Sequence, residues 1–210
     1  MAININPAGE IPPPEFPPPR PTSLIKTVFL PSWDNWLTQN VRLTNDNICF
    51  TDGSKHSGLG QTGACIYNQT TNQMYIFQLG TYTTVFQAEV CAICACAKTL
   101  LMESEASIAI CSDSQAALMA LRSSKITSSL VAETIKALTE LSMFNSVRLL
   151  WIPGHSDIPG NETADQYAKQ AASQDFVGPE PALGNGYTYN EDSQCSSNAR
   201  LWANAQQRKL

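Results

Sequence analysis

Asn47-Ile48-Cys49-Phe50-Thr51-Asp52-Gly53-Ser54 reads as a short buried strand that ends on a carboxylate. The apolar run has strand length, and Gly53-Ser54 stops it. The pattern returns in Ile108-Ala109-Ile110-Cys111-Ser112-Asp113, after which a helix-like stretch runs from Gln115 to Leu121. Two buried strands with acids at their carboxyl ends point to an α/β sheet, because ligands of open sheets bind beyond those ends.

Working outward, apolar alternation predicts strands at about 61–68 and 73–80 with a polar turn between them, so that with the strand ending at Thr51 they form an antiparallel meander. A helix over about 85–102 is apolar nearly all round, as a helix buried on a sheet would be. A strand at 107–112, helices at 114–122 and 129–143, a strand at 147–152 and a last helix at about 161–172 follow. Strands first, then alternating helices and strands, imply a mixed sheet with helices on its faces. Nine of the 13 prolines fall in the first 31 residues, so residues 7–21 read as an extended spacer unable to form a core. The expected organisation is a proline-rich leader over 1–44 with a short apolar segment (Phe29, Trp33, Trp36, Leu37), a catalytic domain over 45–174, and a polar tail over 175–210.

Two further acids join Asp52 and Asp113. Glu89 is the one ionised group near the start of the apolar segment Ala88 to Ala97, where a lone acid is costly unless it is paired or binds a cation. Asp165 lies one turn inside the last helix. Any one of these acids alone would read as surface charge or a helix cap; as a set, Asp52, Glu89, Asp113 and Asp165 read as a metal cage. Converging carboxylates repel and would lose their charge, and a divalent cation removes the conflict. Hard oxygen ligands suit Mg²⁺ or Mn²⁺, and two such ions about 4 Å apart hold the attacking water and leaving oxygen of a phosphodiester.

Composition limits the binding mode. The chain carries a net charge of −5, and residues 46–173 hold seven basic against eleven acidic side chains, a poor balance for gripping phosphates. Seven cysteines, an odd number, and no charged leader ahead of an apolar core point to a reducing, intracellular compartment, cytoplasmic or nuclear. No stretch is long enough to span a membrane. Cys91, Cys94 and Cys96 lie in an apolar helical segment without a second ligand pair at zinc spacing, so they read as core. The Asn-x-Thr sequences at Asn68 and Asn161 read as accidental.

Four stretches carry a family resemblance: Phe50-Thr51-Asp52-Gly53-Ser54; Phe86-Gln87-Ala88-Glu89; Cys111-Ser112-Asp113-Ser114; and Trp151-Ile152-Pro153-Gly154-His155 running on to Gly160-Asn161-Glu162-Thr163-Ala164-Asp165. Over about residues 46–173 the chain resembles ribonuclease H, in the version carried by non-LTR retrotransposons of insects and other arthropods. The resemblance implies a five-stranded mixed sheet, a three-strand antiparallel meander plus two parallel strands, flanked by helices. It implies endonucleolytic hydrolysis of the RNA strand of an RNA/DNA hybrid with two Mg²⁺ ions, Mn²⁺ being a possible substitute, and an upstream reverse transcriptase module as a possible partner. Asp52 then corresponds to the carboxylate shared by both metals, Glu89 and Asp113 complete the shell of one, and Asp165 binds the ion that activates water. His155, in its glycine-flanked loop, corresponds to the mobile histidine that assists proton transfer or product release. Asn161 matches a polar position bordering the site, and a helix N-cap accounts for it equally well.

Such an enzyme distinguishes RNA by its 2′-hydroxyl, read across the wide minor groove, and Gly53, Ser54, Gln87 and Ser114 are placed for this. The chain departs from cellular members in having Val85 and Phe86 where those place asparagine-type residues shortly before the catalytic glutamate. The basic loop of some relatives is missing too, since Ser123 to Ser129 offers only Lys125. Hybrid binding should therefore be weak and salt-sensitive. Alternatives are a transposase or exonuclease of the same fold, distinguished by which substrate is cut, and a catalytically idle hybrid-binding module, in which loss of carboxylates would be expected.

Overall fold

The structure, a computed structural model, describes residues 25–29, 46–104 and 106–176. The polyproline stretch, Trp33, Trp36, Leu37 and nearly all of the expected tail lie outside the described residues. Its strands are β1 (Ile25–Phe29), β2 (Asp46–Lys55), β3 (Thr62–Asn68), β4 (Gln73–Gly80), β5 (Ser107–Ser112) and β6 (Ser146–Trp151). Its helices are α1 (Val85–Thr99), α2 (Gln115–Arg122), α3 (Ser129–Ser142) and α4 (Pro159–Ser173).

The five strands from β2 onward form the expected mixed sheet. Antiparallel pairing joins β2 to β3 and β3 to β4, while β2, β5 and β6 run parallel. Part of the apolar segment assigned to the leader adds a sixth strand, because β1 pairs in parallel with β6 from Ile25↔Val147 to Phe29↔Trp151. Sequence reading found no place for this stretch: an isolated run of strand length gives no sign of its partner.

β2 is longer than its apolar run implies. Its parallel pairing with β5 stops at Thr51↔Ser112, yet its antiparallel pairing with β3 continues to Lys55↔Thr62. Asp52 is therefore the first residue past the parallel ladder, at the carboxyl-end position expected, although the strand itself continues. The turn that follows is closed by His56, whose carbonyl accepts from Gly60 N and whose Nδ1 accepts from Gly58 N and Leu59 N.

Helix α1 starts at a capping box. The Thr84 hydroxyl accepts from Gln87 N at 3.2 Å, and Gln87 Oε1 accepts from Thr84 N at 2.9 Å. Every residue from Ala88 to Ala97 is buried, so the helix lies between the sheet and α3 in a largely apolar setting. It ends at Thr99 instead of near 102, leaving Leu101 and Met102 exposed. Cys91, Cys94 and Cys96 are buried free thiols, and burial pushes Cys94 up to about 11, as suits inert core residues. On the opposite face α4 crosses β2, β3 and β4, and a smaller core joins Phe50, Cys111, Leu150, Ile152 and Ile158. Burying an aliphatic or aromatic side chain of this size contributes roughly 1.5–3 kcal/mol.

The approach of α1 to β2 depends on Gly53. A Cβ there would lie 2.6 Å from Glu89 N and 2.8 Å from Ala88 Cβ, closer than atoms tolerate. Glycine thus lets the helix seat Glu89 beside Asp52. Gly53→Ala should destabilise the chain by about 1–3 kcal/mol through overpacking. Urea denaturation measures the loss, and an unchanged midpoint would mean that the helix does not need this contact.

Candidate active site

Asp52, Glu89 and Asp113 each offer an oxygen within 4.8 Å of the others. Asp52 comes from β2, Glu89 from the second turn of α1, and Asp113 from the residue after β5, so the parallel register and the Gly53 contact bring them together. Asp52 and Glu89 are only 5% and 6% exposed. Burial, with the charges of Asp113 and Asp165 next, raises Asp52 to about 7. Burial followed by repulsion from Asp52 and Asp113 raises Glu89 to about 9, although the Gly53 backbone N–H donates to it. Asp52 Oδ2 and Glu89 Oε2 are buried without a hydrogen-bond partner. Orphaned, crowded oxygens of this kind match the hard-donor set of a divalent cation.

Asp165 belongs to an adjoining group. It shares a second such cluster with His155 and Glu162, and its Oδ2 accepts from Lys169 Nζ at 2.7 Å. Its charge still reaches Asp52 and Glu89. The expected set of four is therefore a tight three with the fourth beside it. Glu162 is the acid that sequence reading passed over. It stands three residues before Asp165 on the same helix, a spacing that puts both on one face, and that periodicity was the available signal.

Asp113 is held by its surroundings. The Trp151 indole N–H donates to its backbone carbonyl at 3.0 Å, and Asn161 Nδ2 donates to its Oδ2 at 3.3 Å. Asn161 is not the N-cap of α4; Ile158 holds that position and Pro159 opens the helix, leaving Asn161 in the first turn, 1% exposed, against the acidic cluster. A Cβ on Gly154 would lie 2.7 Å from Asp113 Oδ2, so the loop passes directly over that carboxylate. Next along it, His155 is exposed, and both it and Asp157 have left-handed backbone, with φ of 51° and 55°.

The remaining polar positions are divided between the site and the scaffold. Gly53 is buried and Ser54 half-buried on β2. Gln87 is the capping-box residue of α1, and Ser114 caps α2 by accepting from Ala117 N at 3.4 Å. Their hydrogen bonds to the backbone fix these two side chains at the starts of α1 and α2.

Both raised carboxyls bind protons in the folded chain that the unfolded chain releases. The resulting penalty is absent below the ordinary carboxylate range, near pH 4, and grows as pH rises through 7 and toward 9. In a chelator, stability should therefore fall between pH 5 and pH 9, less steeply in Asp52→Asn, and Mg²⁺ should restore part of it at the alkaline end. Urea midpoints across that range check this; a flat profile would contradict the crowding of the acids.

Among the described residues no helix is long and apolar enough to cross a membrane. No curated protein matches the chain. Residues 44–173 match the RNase H family, a span that takes in β2 to α4 and both acidic groups. The chain thus belongs to the ribonuclease H family, nucleases that hydrolyse the RNA strand of RNA/DNA hybrids with divalent metals.

Proposed function

We propose that this chain is an endonuclease that cuts the RNA strand of RNA/DNA hybrids with two Mg²⁺ ions, for which Mn²⁺ can substitute. The observation that carries the reading is the cluster of buried Asp52 and Glu89 with half-buried Asp113, in which two oxygens lack any partner. Asp52 would serve both ions, Glu89 and Asp113 one of them, and Asp165 the other, with Glu162 beside it. When bound, the ions supply charge stabilisation to the phosphorane-like transition state and acidify the attacking water.

The chain's own residues do the rest. Asn161 and Trp151 hold Asp113 in place for its ion. Lys169 orients Asp165 through their ion pair. His155, exposed on its loop, transfers a proton at the leaving oxygen or aids release of the cut strand. Gly53, Ser54, Gln87, Ser114 and Asn161 border the hybrid's minor groove. The hybrid itself is held weakly, because acids outnumber bases over 46–173.

The origin we favour is a retroelement polyprotein of the non-LTR type, supported by the four motif stretches, with a reverse transcriptase module upstream of the proline-rich leader. The acting location is intracellular, cytoplasmic or nuclear, supported by the cysteine usage. Catalysis would reside in residues 45–174, with the segments on either side as leader and tail.

A labelled hybrid incubated with Mg²⁺ should be cut by the native chain and left at least about a hundredfold less cut by Asp113→Asn. Equal cutting by both proteins would sink the site assignment. His155→Ala should slow turnover by up to about a hundredfold while leaving hybrid affinity unchanged. A matching loss of affinity would place His155 in binding instead.

A further inference from the structure

β1 ends level with the residue that steadies Asp113. Its register with β6 closes on Phe29↔Trp151, and Trp151 is the residue whose indole N–H donates to the Asp113 carbonyl at 3.0 Å. On its other side β6 closes on Ser112↔Trp151, one residue before Asp113, and the Ile152 N–H donates to the Ser112 carbonyl at 3.1 Å. The chain then enters the loop whose Gly154 passes over the Asp113 carboxylate. The end of β6 thus carries two contacts to one acid, the Trp151 indole and the loop that leaves the strand.

Backbone direction shows which of these groups depends on β1. Consecutive peptide N–H groups along a strand point to opposite sides. Because the Ile152 N–H points to β5, the Trp151 N–H points the other way, to β1. In a parallel ladder a residue bonds to the neighbours of its partner, so Trp151, opposite Phe29, donates to the Val28 carbonyl. The Val28 N–H faces β6 as well, whereas those of Thr27 and Phe29 face away. Without β1 the last rung of β6 is held on one side only, and its outward N–H loses its strand partner. Strand ends of that kind open first.

We infer that residues 25–29 are a positioning strand for the acidic cluster: by pairing with Trp151 they fix the end of β6, and through the Trp151 indole and the Gly154 loop they hold Asp113 at its distance from Asp52 and Glu89. The consequence for cleavage rests on the nuclease reading above. β1 lies outside residues 44–173, so the cluster is steadied from beyond the segment that matches the family. Asp113 is the acid most open to such control. Asp52 is paired with Cys65 inside β2, and Glu89 lies in the buried stretch of α1, but Asp113 follows the last residue of its strand. Loss of a group that orients a metal ligand weakens metal binding by about 10–100-fold.

Full-length variants test this. Val28→Pro removes the N–H that faces β6 and Thr27→Pro one that faces away, so only the first breaks the ladder. In metal-free native protein the Trp151 amide should be protected from hydrogen exchange by at least about a hundredfold. Val28→Pro should lose most of that protection, and Thr27→Pro should keep it. Mg²⁺ affinity, read by calorimetry, should fall about tenfold in Val28→Pro, and the Mg²⁺ concentration for half-maximal cleavage should rise to match, with the KM for hybrid unchanged and kcat recovered at saturating Mg²⁺. Trp151→Phe keeps a ring and removes the indole N–H. It should give a similar shift, and the two substitutions together should shift Mg²⁺ affinity by less than the product of their single effects. Ile135→Val, in the buried face of α3, should lower the urea midpoint and leave Mg²⁺ affinity unchanged. An unprotected Trp151 amide in the native chain overturns the inference, as do native Mg²⁺ affinity in Val28→Pro or in Trp151→Phe and an equal shift in Thr27→Pro. The native exchange and Trp151→Phe decide it even if Val28→Pro does not fold. A native chain that takes up Mg²⁺ with these dependences but cuts no hybrid sinks the nuclease reading alone.

Discussion

Like charges pressed together are the constraint around which this domain is arranged. Asp52, Glu89 and Asp113 approach closely enough that burial and mutual repulsion push two of them toward neutrality. The approach is enforced from several directions. Gly53 lets α1 lie against β2, the parallel register sets Asp113 level with Asp52, and the Gly154 loop closes over Asp113. The fold thus carries an unfavourable electrostatic contact into its own interior, which persists because a large apolar core on one face of the sheet and a smaller one on the other offset it. A site that costs stability when empty is strongly disposed to take up cations.

Much of this was legible in the sequence because the relevant signals are local. The acids of β2 and β5 follow apolar runs of strand length, and Glu89 interrupts an otherwise apolar helix. The five-stranded sheet followed from element order. What escaped depends on partners distant along the chain. β1 is a strand only by virtue of β6, and the continuation of β2 to Lys55 exists only because β3 pairs with it. Asn161 read equally well as a site residue or as a cap because it stands near a helix start, but Pro159 moves that start upstream and the amide donates to Asp113. Glu162 was hidden by the more familiar acid three residues later.

Helix starts decide how two of the polar side chains are held. Gln87 and Ser114 both sit at helix starts, where the first backbone N–H groups need acceptors. By answering that need they are locked in orientation at the first turns of α1 and α2. A substitution at either would loosen the helix start it caps and, under the proposed function, the substrate contact with it.

β1 carries a further consequence. It lies upstream of the segment that matches the family, yet it covers the outer side of β6 along five consecutive residue pairs. A fragment trimmed to the recognisable segment would bare a row of amides and carbonyls on that flank. Unsheathed margins of this sort recruit other chains by strand addition. Self-association of such a fragment would then reflect where it was cut and not any habit of the intact protein.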